Sequence, residues 1–98
     1  QMRSGTVEKQ LIEGLSSTEA IARSGCAQIL GEAGVHEAIP SLIGATEDAV
    51  AEVRWSAIIA LGRLVAVDGR PQLEKLRDDD DATVAYYAKW ALRQLGAG

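Results

Sequence analysis

Few residues in this sequence are of the types that usually carry catalysis or hold a metal. Its 98 residues include one histidine, His36, and one cysteine, Cys26. A closed transition-metal site needs several nitrogen, sulfur or carboxylate ligands, and His36 followed by Glu37 supplies too few of them. The glycines are spread along the chain, so they form no phosphate-binding loop, and the histidine has no placed nucleophile. We therefore predict that the protein is not an enzyme and that it uses no metal and no cofactor.

The run from Asp78 to Asp81 is the densest group of carboxylates in the chain. It lacks the alternating ligands, the central glycine and the distal glutamate of a calcium-binding loop. Aspartate side chains readily accept hydrogen bonds from the free N–H groups at the start of a helix. The run therefore predicts a loop that caps the following helix and offers a carboxylate to a basic side chain.

Charge and composition exclude several classes of protein. The formal net charge of -4 argues against a nucleic-acid-binding protein, because such proteins need an excess of lysine and arginine. No apolar stretch reaches the roughly 18 residues that cross a bilayer, and the N-terminus has no signal-peptide core. Cys26 lies in an apolar helical pattern and is interpreted as a small buried residue, which fits a reducing cytoplasm. A 47% hydrophobic content with only 4% aromatic residues favours packed helices.

The sequence repeats itself with a period of 31 residues. Ile29-Leu30-Gly31 aligns with Ala60-Leu61-Gly62 and then with Ala91-Leu92-Arg93, and Pro40 aligns with Pro71. Each repeat has a long segment with apolar residues at helical spacing. A shorter segment follows, with proline in its first turn, where the missing N–H costs little. This period indicates an array of helix pairs.

We predict one domain over residues 1–98 that contains about six helices. They are expected near residues 6–15, 17–33, 37–46, 49–65, 69–77 and 81–95. The domain then consists of the second helix of a first half-repeat (6–15), two repeats (17–46 and 49–77) and a C-terminal capping helix (81–95). Ser16, with Glu19 three residues later, predicts a capping box at the start of the second helix.

The last helix departs from the pattern of the other repeats. The 31-residue shift places Ala85 at the position of Arg54 and Arg93 at that of Gly62. Glycine permits a close approach, so its loss predicts that no further short helix packs there, as expected of a terminal repeat. Gln1 ahead of Met2 is typical of a tag residue, from which we expect Met2 to begin a small complete protein.

The pattern Val53-Arg54 through Ala60-Leu61-Gly62, followed by Pro71 and Leu73, resembles the HEAT-like repeats of phycobilisome lyases, within the HEAT and armadillo class. The resemblance implies an all-α fold, a short right-handed α-α superhelix or α-solenoid. It implies antiparallel helix pairs, with the short helices lining the concave face.

The resemblance also implies a structural role for the repeated arginines. Each is expected to reach an acidic residue in the next inter-repeat loop. The acceptor would be Glu47 or Asp48 for Arg23, and Asp78 or Asp79 for Arg54.

Two surfaces are predicted to bind a partner. The first is a convex patch on the last two long helices, where large apolar residues stand in columns that the resembled repeats usually fill with charged residues. Exposed apolar surface of this kind marks an interface. The patch consists of Trp55, Ile58, Ile59, Tyr86, Tyr87 and Trp90. The second is a stripe on the short helices, expected on the concave face. It consists of Gln10, Glu13, Glu37, Ser41, Gly44, Gln72 and Lys75. The alternatives are that the aromatic side chains are tucked between helices and that the stripe is simply solvated.

These observations predict a non-enzymatic protein-interaction or self-assembly module in the cytoplasm. Its partner is expected to be another protein or a second copy in a homodimer, and neither nucleic acid nor membrane. Two alternatives remain, an accessory or chromophore-handling subunit like the lyases, and a fragment of a longer HEAT-repeat scaffold.

Overall fold

A computed structural model describes the backbone of residues 3–96 and the side chains from residue 5 onward. Gln1 and Met2, on which the tag prediction rests, lie outside the described residues. The structure has six α-helices: α1 (Arg3–Gly14), α2 (Ala20–Glu32), α3 (Ile39–Ala45), α4 (Ala51–Arg63), α5 (Arg70–Leu76) and α6 (Ala82–Leu95). A 3₁₀ turn precedes each of α3 and α5, at His36–Ala38 and Val67–Gly69. The prediction of an all-α fold of helix pairs is confirmed.

The boundaries of α3, α5 and α6 follow local signals in the sequence. Pro40 and Pro71 lie in the first turns of α3 and α5, as predicted. Asp81 caps α6, because its Oδ1 accepts hydrogen bonds from the N–H groups of Thr83 and Val84 at 2.9 and 3.0 Å. The run of aspartates therefore does supply a helix cap.

The capping box predicted at Ser16 is wrong. Helix α2 begins at Ala20, and Glu19 is its N-cap residue without a side-chain hydrogen bond. Ser17 Oγ instead accepts the N–H of Glu19 at 3.1 Å. The Ser17 carbonyl is held by the guanidinium of Arg23, so the loop is fixed by the arginine and the helix starts later than the sequence pattern indicates.

The three long helices α2, α4 and α6 stack directly on one another and provide most of the core. The repeated glycine makes this stacking close. A Cβ at Gly31 would lie 2.7 Å from the Cα of Ala60, and a Cβ at Gly62 would lie 3.2 Å from the Cα of Ala91. The glycines therefore face the next long helix. The prediction that they make room for a short helix is wrong.

The two layers of the stack differ in their spacing. Each short helix packs against the long helix that follows it, while α1, α3 and α5 make few contacts with one another. A groove of about 310 Å³ stays open between α1 and α3. In a curved stack the layer with the closer spacing lies inside. The long helices therefore line the concave side, and the prediction that the short helices do so is wrong.

Candidate functional site

Arg23 joins two inter-repeat loops. Its Nε and Nη2 donate to Oδ2 and Oδ1 of Asp48 at 2.7 and 3.1 Å, a bidentate pair. Its Nη1 donates to the backbone carbonyl of Ser17 at 2.9 Å. Asp48 Oδ1 also accepts the N–H of Val50 at 2.9 Å. These hydrogen bonds hold the loops ahead of α2 and α4 together.

Arg54 repeats this arrangement one repeat later. Its Nε and Nη2 donate to Oδ2 and Oδ1 of Asp79 at 3.1 and 3.0 Å, and its Nη1 donates to the carbonyl of Asp48 at 2.9 Å. Asp48 therefore accepts from both arginines, one at its carboxylate and the other at its backbone. The two arginines link the successive loops, an arrangement that we call the ladder. Their role is therefore to hold the stack of repeats together.

The ladder shifts the pKa values of its members. Hydrogen bonds from Arg23 lower the pKa of Asp48, and the N–H of Val50 adds to this effect against the opposing effect of burial. Burial raises the pKa of Asp79, but hydrogen bonds from Arg54 and from the N–H of Asp81 outweigh it, so the net pKa is lowered. The pKa of Arg23 is raised, chiefly by its hydrogen bonds to Asp48. Both carboxylates are consequently held in the ionised form that accepts these bonds.

The aromatic side chains of α4 and α6 form one cluster around Tyr87. The ring centroid of Tyr87 lies 5.9 Å from that of Trp55, 5.2 Å from that of Tyr86 and 6.4 Å from that of Trp90. The contacts with Tyr86 and Trp90 are edge-to-face, a favourable geometry for aromatic pairs. We call these four residues the aromatic cluster. Tyr87 lies at its centre, because each of the other three rings contacts it.

The cluster is only partly exposed. Tyr86 is 60% exposed, whereas Trp55, Tyr87 and Trp90 are half-buried. Trp90 is held against α4, because its ring fills the space above Gly62. The alternative that the aromatic side chains are tucked between helices is therefore correct for much of the indole surface, and Tyr86 offers the largest accessible ring.

Two predictions about the patch are wrong. Ile58 is fully buried and belongs to the hydrophobic core. The patch also lies on the concave side of the stack, since it belongs to the long-helix layer. Ile59, the other predicted aliphatic member, is half-buried and lies beside the cluster on α4.

A small cleft between α4 and α2 continues this surface. Its volume is about 70 Å³, and Ile59 and Arg63 of α4 line it together with Gln28 and Glu32 of α2. Glu32 and Arg63 are exposed, and neither forms an ion pair among residues 5–96. We call the cleft and the aromatic cluster together the inner face.

The predicted stripe on the short helices does not form one continuous surface. Most of its members are exposed, namely Gln10, Glu13, Glu37, Ser41, Gly44 and Lys75. Gln72 is half-buried, and its Nε2 donates to Oγ1 of Thr46 at 2.9 Å. That bond joins α5 to the end of α3, so Gln72 holds two repeats together. The groove between α1 and α3 separates the members on α1 from those that follow, so the stripe is divided.

The structure gives local roles to His36 and Cys26. His36 is exposed, with Nδ1 3.1 Å from the carbonyl oxygen of Gly34 in the turn before α3. Cys26 is half-buried, and its Sγ occupies the space that a Cβ at Gly14 would need. In the part of the chain that the structure describes, no three His, Cys, Asp or Glu side chains are grouped as a metal site would require. None of the described helices is long and apolar enough to cross a membrane.

Sequence reasoning missed a group of cations at the far end of the stack. Lys89 and Arg93 of α6 occupy the positions of Ile58 and Gly62 one repeat earlier. Both earlier residues are buried, and Trp90 of the following long helix covers Gly62. The 31-residue shift already places Arg93 at the position of Gly62, and it could also have identified Lys89 at the position of Ile58.

Comparison with known proteins agrees with this architecture. A family model for HEAT repeats matches residues 8–93, a range that includes both Arg–Asp pairs and nearly the whole of the three long helices. No curated protein matches the chain. The likeness to phycobilisome lyases in particular stays a prediction. With a match over most of its length, the chain belongs to the HEAT-repeat family.

Proposed function

We propose that this chain is a non-catalytic protein-binding module and that its partner surface is the inner face. HEAT repeats generally act as scaffolds for protein interaction. The proposal includes that the protein acts in the cytoplasm and that it catalyses no reaction.

The observation that carries the proposal is the exposure of Tyr86 on a fixed aromatic support. Its ring packs edge-to-face on Tyr87 at 5.2 Å, yet 60% of the residue is accessible to solvent. A side chain that is already held in place loses little conformational entropy when a partner covers it. Tyrosine and tryptophan are also the residues most enriched among interface hot spots. A surface of this kind suits protein binding better than the divided stripe on the short helices.

We propose a second copy of the chain as the first partner. Glu32 and Arg63 stand on the inner face with opposite charges and no ion partner among the described residues. A two-fold axis through the face would bring Glu32 of one copy towards Arg63 of the other, because such an interface is self-complementary. The aromatic rings would supply the apolar centre and these charges the rim.

Sedimentation equilibrium of three proteins tests the proposal. The unmodified chain is expected to dimerise at micromolar concentration, and Tyr86→Glu is expected to be monomeric. Val67→Glu is the matched control, because Val67 is 59% exposed in the turn before α5, outside the inner face. It should dimerise like the unmodified chain. A dimer that survives Tyr86→Glu would show that the interface lies elsewhere.

A further inference from the structure

The end of the stack holds a groove with an unusual charge. It lies between α5 and α6 and has a volume of about 580 Å³. Its lining consists of Arg70, Glu74, Arg77, Lys89, Leu92, Arg93 and Gly96. We call it the end groove. Four cations and one carboxylate meet there, in a chain whose formal net charge is -4.

The same groove one repeat earlier is a packing surface between repeats. The positions of Arg70, Glu74, Arg77, Lys89 and Arg93 are there Ile39, Ile43, Thr46, Ile58 and Gly62. The following repeat fills that groove. A Cβ at Gly69 would lie 3.6 Å from both Ile43 and Leu61, and Trp90 covers Gly62. The end groove therefore keeps the shape of a docking site for a protein segment, but its apolar lining is replaced by charged side chains.

Two of the four cations are already engaged. Arg70 Nη2 donates to the carbonyl oxygens of Leu95 and Gly96 at 3.5 and 3.1 Å. It thereby offsets the partial negative charge at the C-terminal end of α6, which would otherwise repel an anion. Arg77 Nη1 lies 3.2 Å from Oε1 of Glu74.

The other two cations are available to a ligand. Lys89 and Arg93 are exposed and lie four residues apart on α6, so they share one face of the helix. Neither has an ion pair or hydrogen bond to another side chain within residues 5–96. Leu92 lines the groove with them and is half-buried, so it offers an apolar contact to a ligand.

We infer that the end groove binds an acidic segment of a partner protein. Carboxylates of the segment pair with Lys89 and Arg93, and an apolar side chain of the segment packs on Leu92. The volume lies within the range of about 300–1,000 Å³ that is typical of ligand clefts. A short peptide is favoured over nucleic acid, because a long polyanion would also meet the acidic remainder of the chain, beginning with Asp78 next to Arg77. This site is separate from the inner face and does not depend on the proposed function.

Fluorescence anisotropy tests the inference with a labelled peptide of glutamates around a central leucine, at about 0.15 M salt. A peptide with glutamine in place of glutamate and a labelled single-stranded oligonucleotide are the comparison probes. The unmodified chain is expected to bind the acidic peptide roughly tenfold more tightly than either, which corresponds to about 1.4 kcal/mol.

Two double variants with equal charge locate the site. Lys89→Glu/Arg93→Glu removes the free cations, whereas Lys9→Glu/Lys75→Glu makes the same charge change at exposed positions outside the groove. Each replacement changes the charge by two units, so both variants reach a formal -8 from -4. The groove variant is expected to lose at least roughly tenfold in affinity and the control less than about threefold, since neither Lys9 nor Lys75 lines the groove. Circular dichroism checks that both variants are folded.

Three results would overturn the inference. The first is no measurable binding of the acidic peptide by the unmodified chain. The second is an equal loss of affinity in the two double variants, which would assign binding to the overall charge. The third is tighter binding of the oligonucleotide than of the peptide.

Discussion

The indole ring of Trp90 lies directly over Gly62, so that a Cβ at position 62 would overlap the ring and come within 3.2 Å of the Cα of Ala91. This contact joins α6 to α4 and fixes one side of the aromatic cluster. The glycine is therefore required by the stacking of the long helices.

Replacing Gly62 by alanine is expected to destabilise the protein by about 1–3 kcal/mol, because the added methyl group forces Trp90 and α6 to move. Gly25 provides a matched control within α2, since a Cβ there meets no atom within 4 Å. Gly25→Ala should stabilise by about 0.5–1 kcal/mol through its helix propensity. Urea titration of both variants measures the difference. If Gly62→Ala leaves the free energy of unfolding unchanged, the long helices are not packed as closely as described.

Val65 is expected to strain the turn after α4. Its φ is 51°, and the equivalent positions in the other repeats are Gly34 and Gly96, with φ values of 72° and 89°. The left-handed conformation costs an L-residue about 1–2 kcal/mol, and valine is β-branched. Because Val65 is 53% exposed, little packing is lost when it is replaced. Val65→Gly should therefore stabilise by about 0.5–1 kcal/mol, after allowance for the greater freedom of glycine in the unfolded chain.

The control for this prediction is Val67→Gly. Val67 is similarly exposed but is not among the residues with positive φ. The same replacement there should destabilise by about 0.5–1 kcal/mol. If both glycine variants unfold at lower urea concentration than the unmodified chain, the strain at Val65 is refuted.

The ladder predicts a large effect for Arg54. Arg54→Met removes the bidentate pair with Asp79 and the hydrogen bond to the Asp48 carbonyl, and it leaves the half-buried Asp79 carboxylate without its partner. The expected loss is about 1–3 kcal/mol in a urea titration. Arg63→Met on the same helix should change stability by less than about 0.5 kcal/mol, since Arg63 is exposed and has no ion pair in the described chain. If Arg54→Met lowers the free energy of unfolding by less than about 0.3 kcal/mol, the pair with Asp79 is only a solvated surface contact.

The lowered pKa values of Asp48 and Asp79 predict a loss of stability in acid. Both carboxylates have a pKa below the ordinary value of 3.8. The stabilisation from a depressed pKa is fully present above the unfolded value and is lost as the pH falls through the folded one. The urea concentration at the midpoint of unfolding should therefore decrease as the pH is lowered below about 4.

A variant identifies the source of the acid sensitivity. In Asp48→Asn the side chain no longer titrates, so the free energy of unfolding should depend less steeply on pH below about 4. The slope is obtained from urea titrations at several pH values. An unchanged slope would assign the acid sensitivity to other carboxylates.

Much of this fold could be predicted from the repeat. The 31-residue shift locates the six helices, because the apolar columns and the two prolines recur together. The same shift places Arg23 and Arg54 ahead of acidic loops, although it does not choose between Asp48 and its neighbour Glu47. That choice depends on the turn, in which Asp48 also accepts the N–H of Val50.

The site was less predictable, because the alignment of the repeats does not show whether the long or the short helices line the concave side. Gly31 and Gly62 indicate a close approach, but only the structure shows that the approaching element is the next long helix. For the same reason Ile58 and Ile59, which are adjacent and chemically identical, could not be separated into a core residue and a surface residue. The central position of Tyr87 was missed because its column holds the small residues Gly25 and Ser56 in the other repeats.

The most direct test of the inner face uses the two indole N–H signals in a ¹H–¹⁵N correlation spectrum. The chain has only two tryptophans, Trp55 and Trp90, and both belong to the aromatic cluster. A dilution series from millimolar to low micromolar concentration should shift both signals with one midpoint, while the amide signal of Val67 stays in place. Indole signals that do not change over this range would contradict pairing of two copies through the inner face.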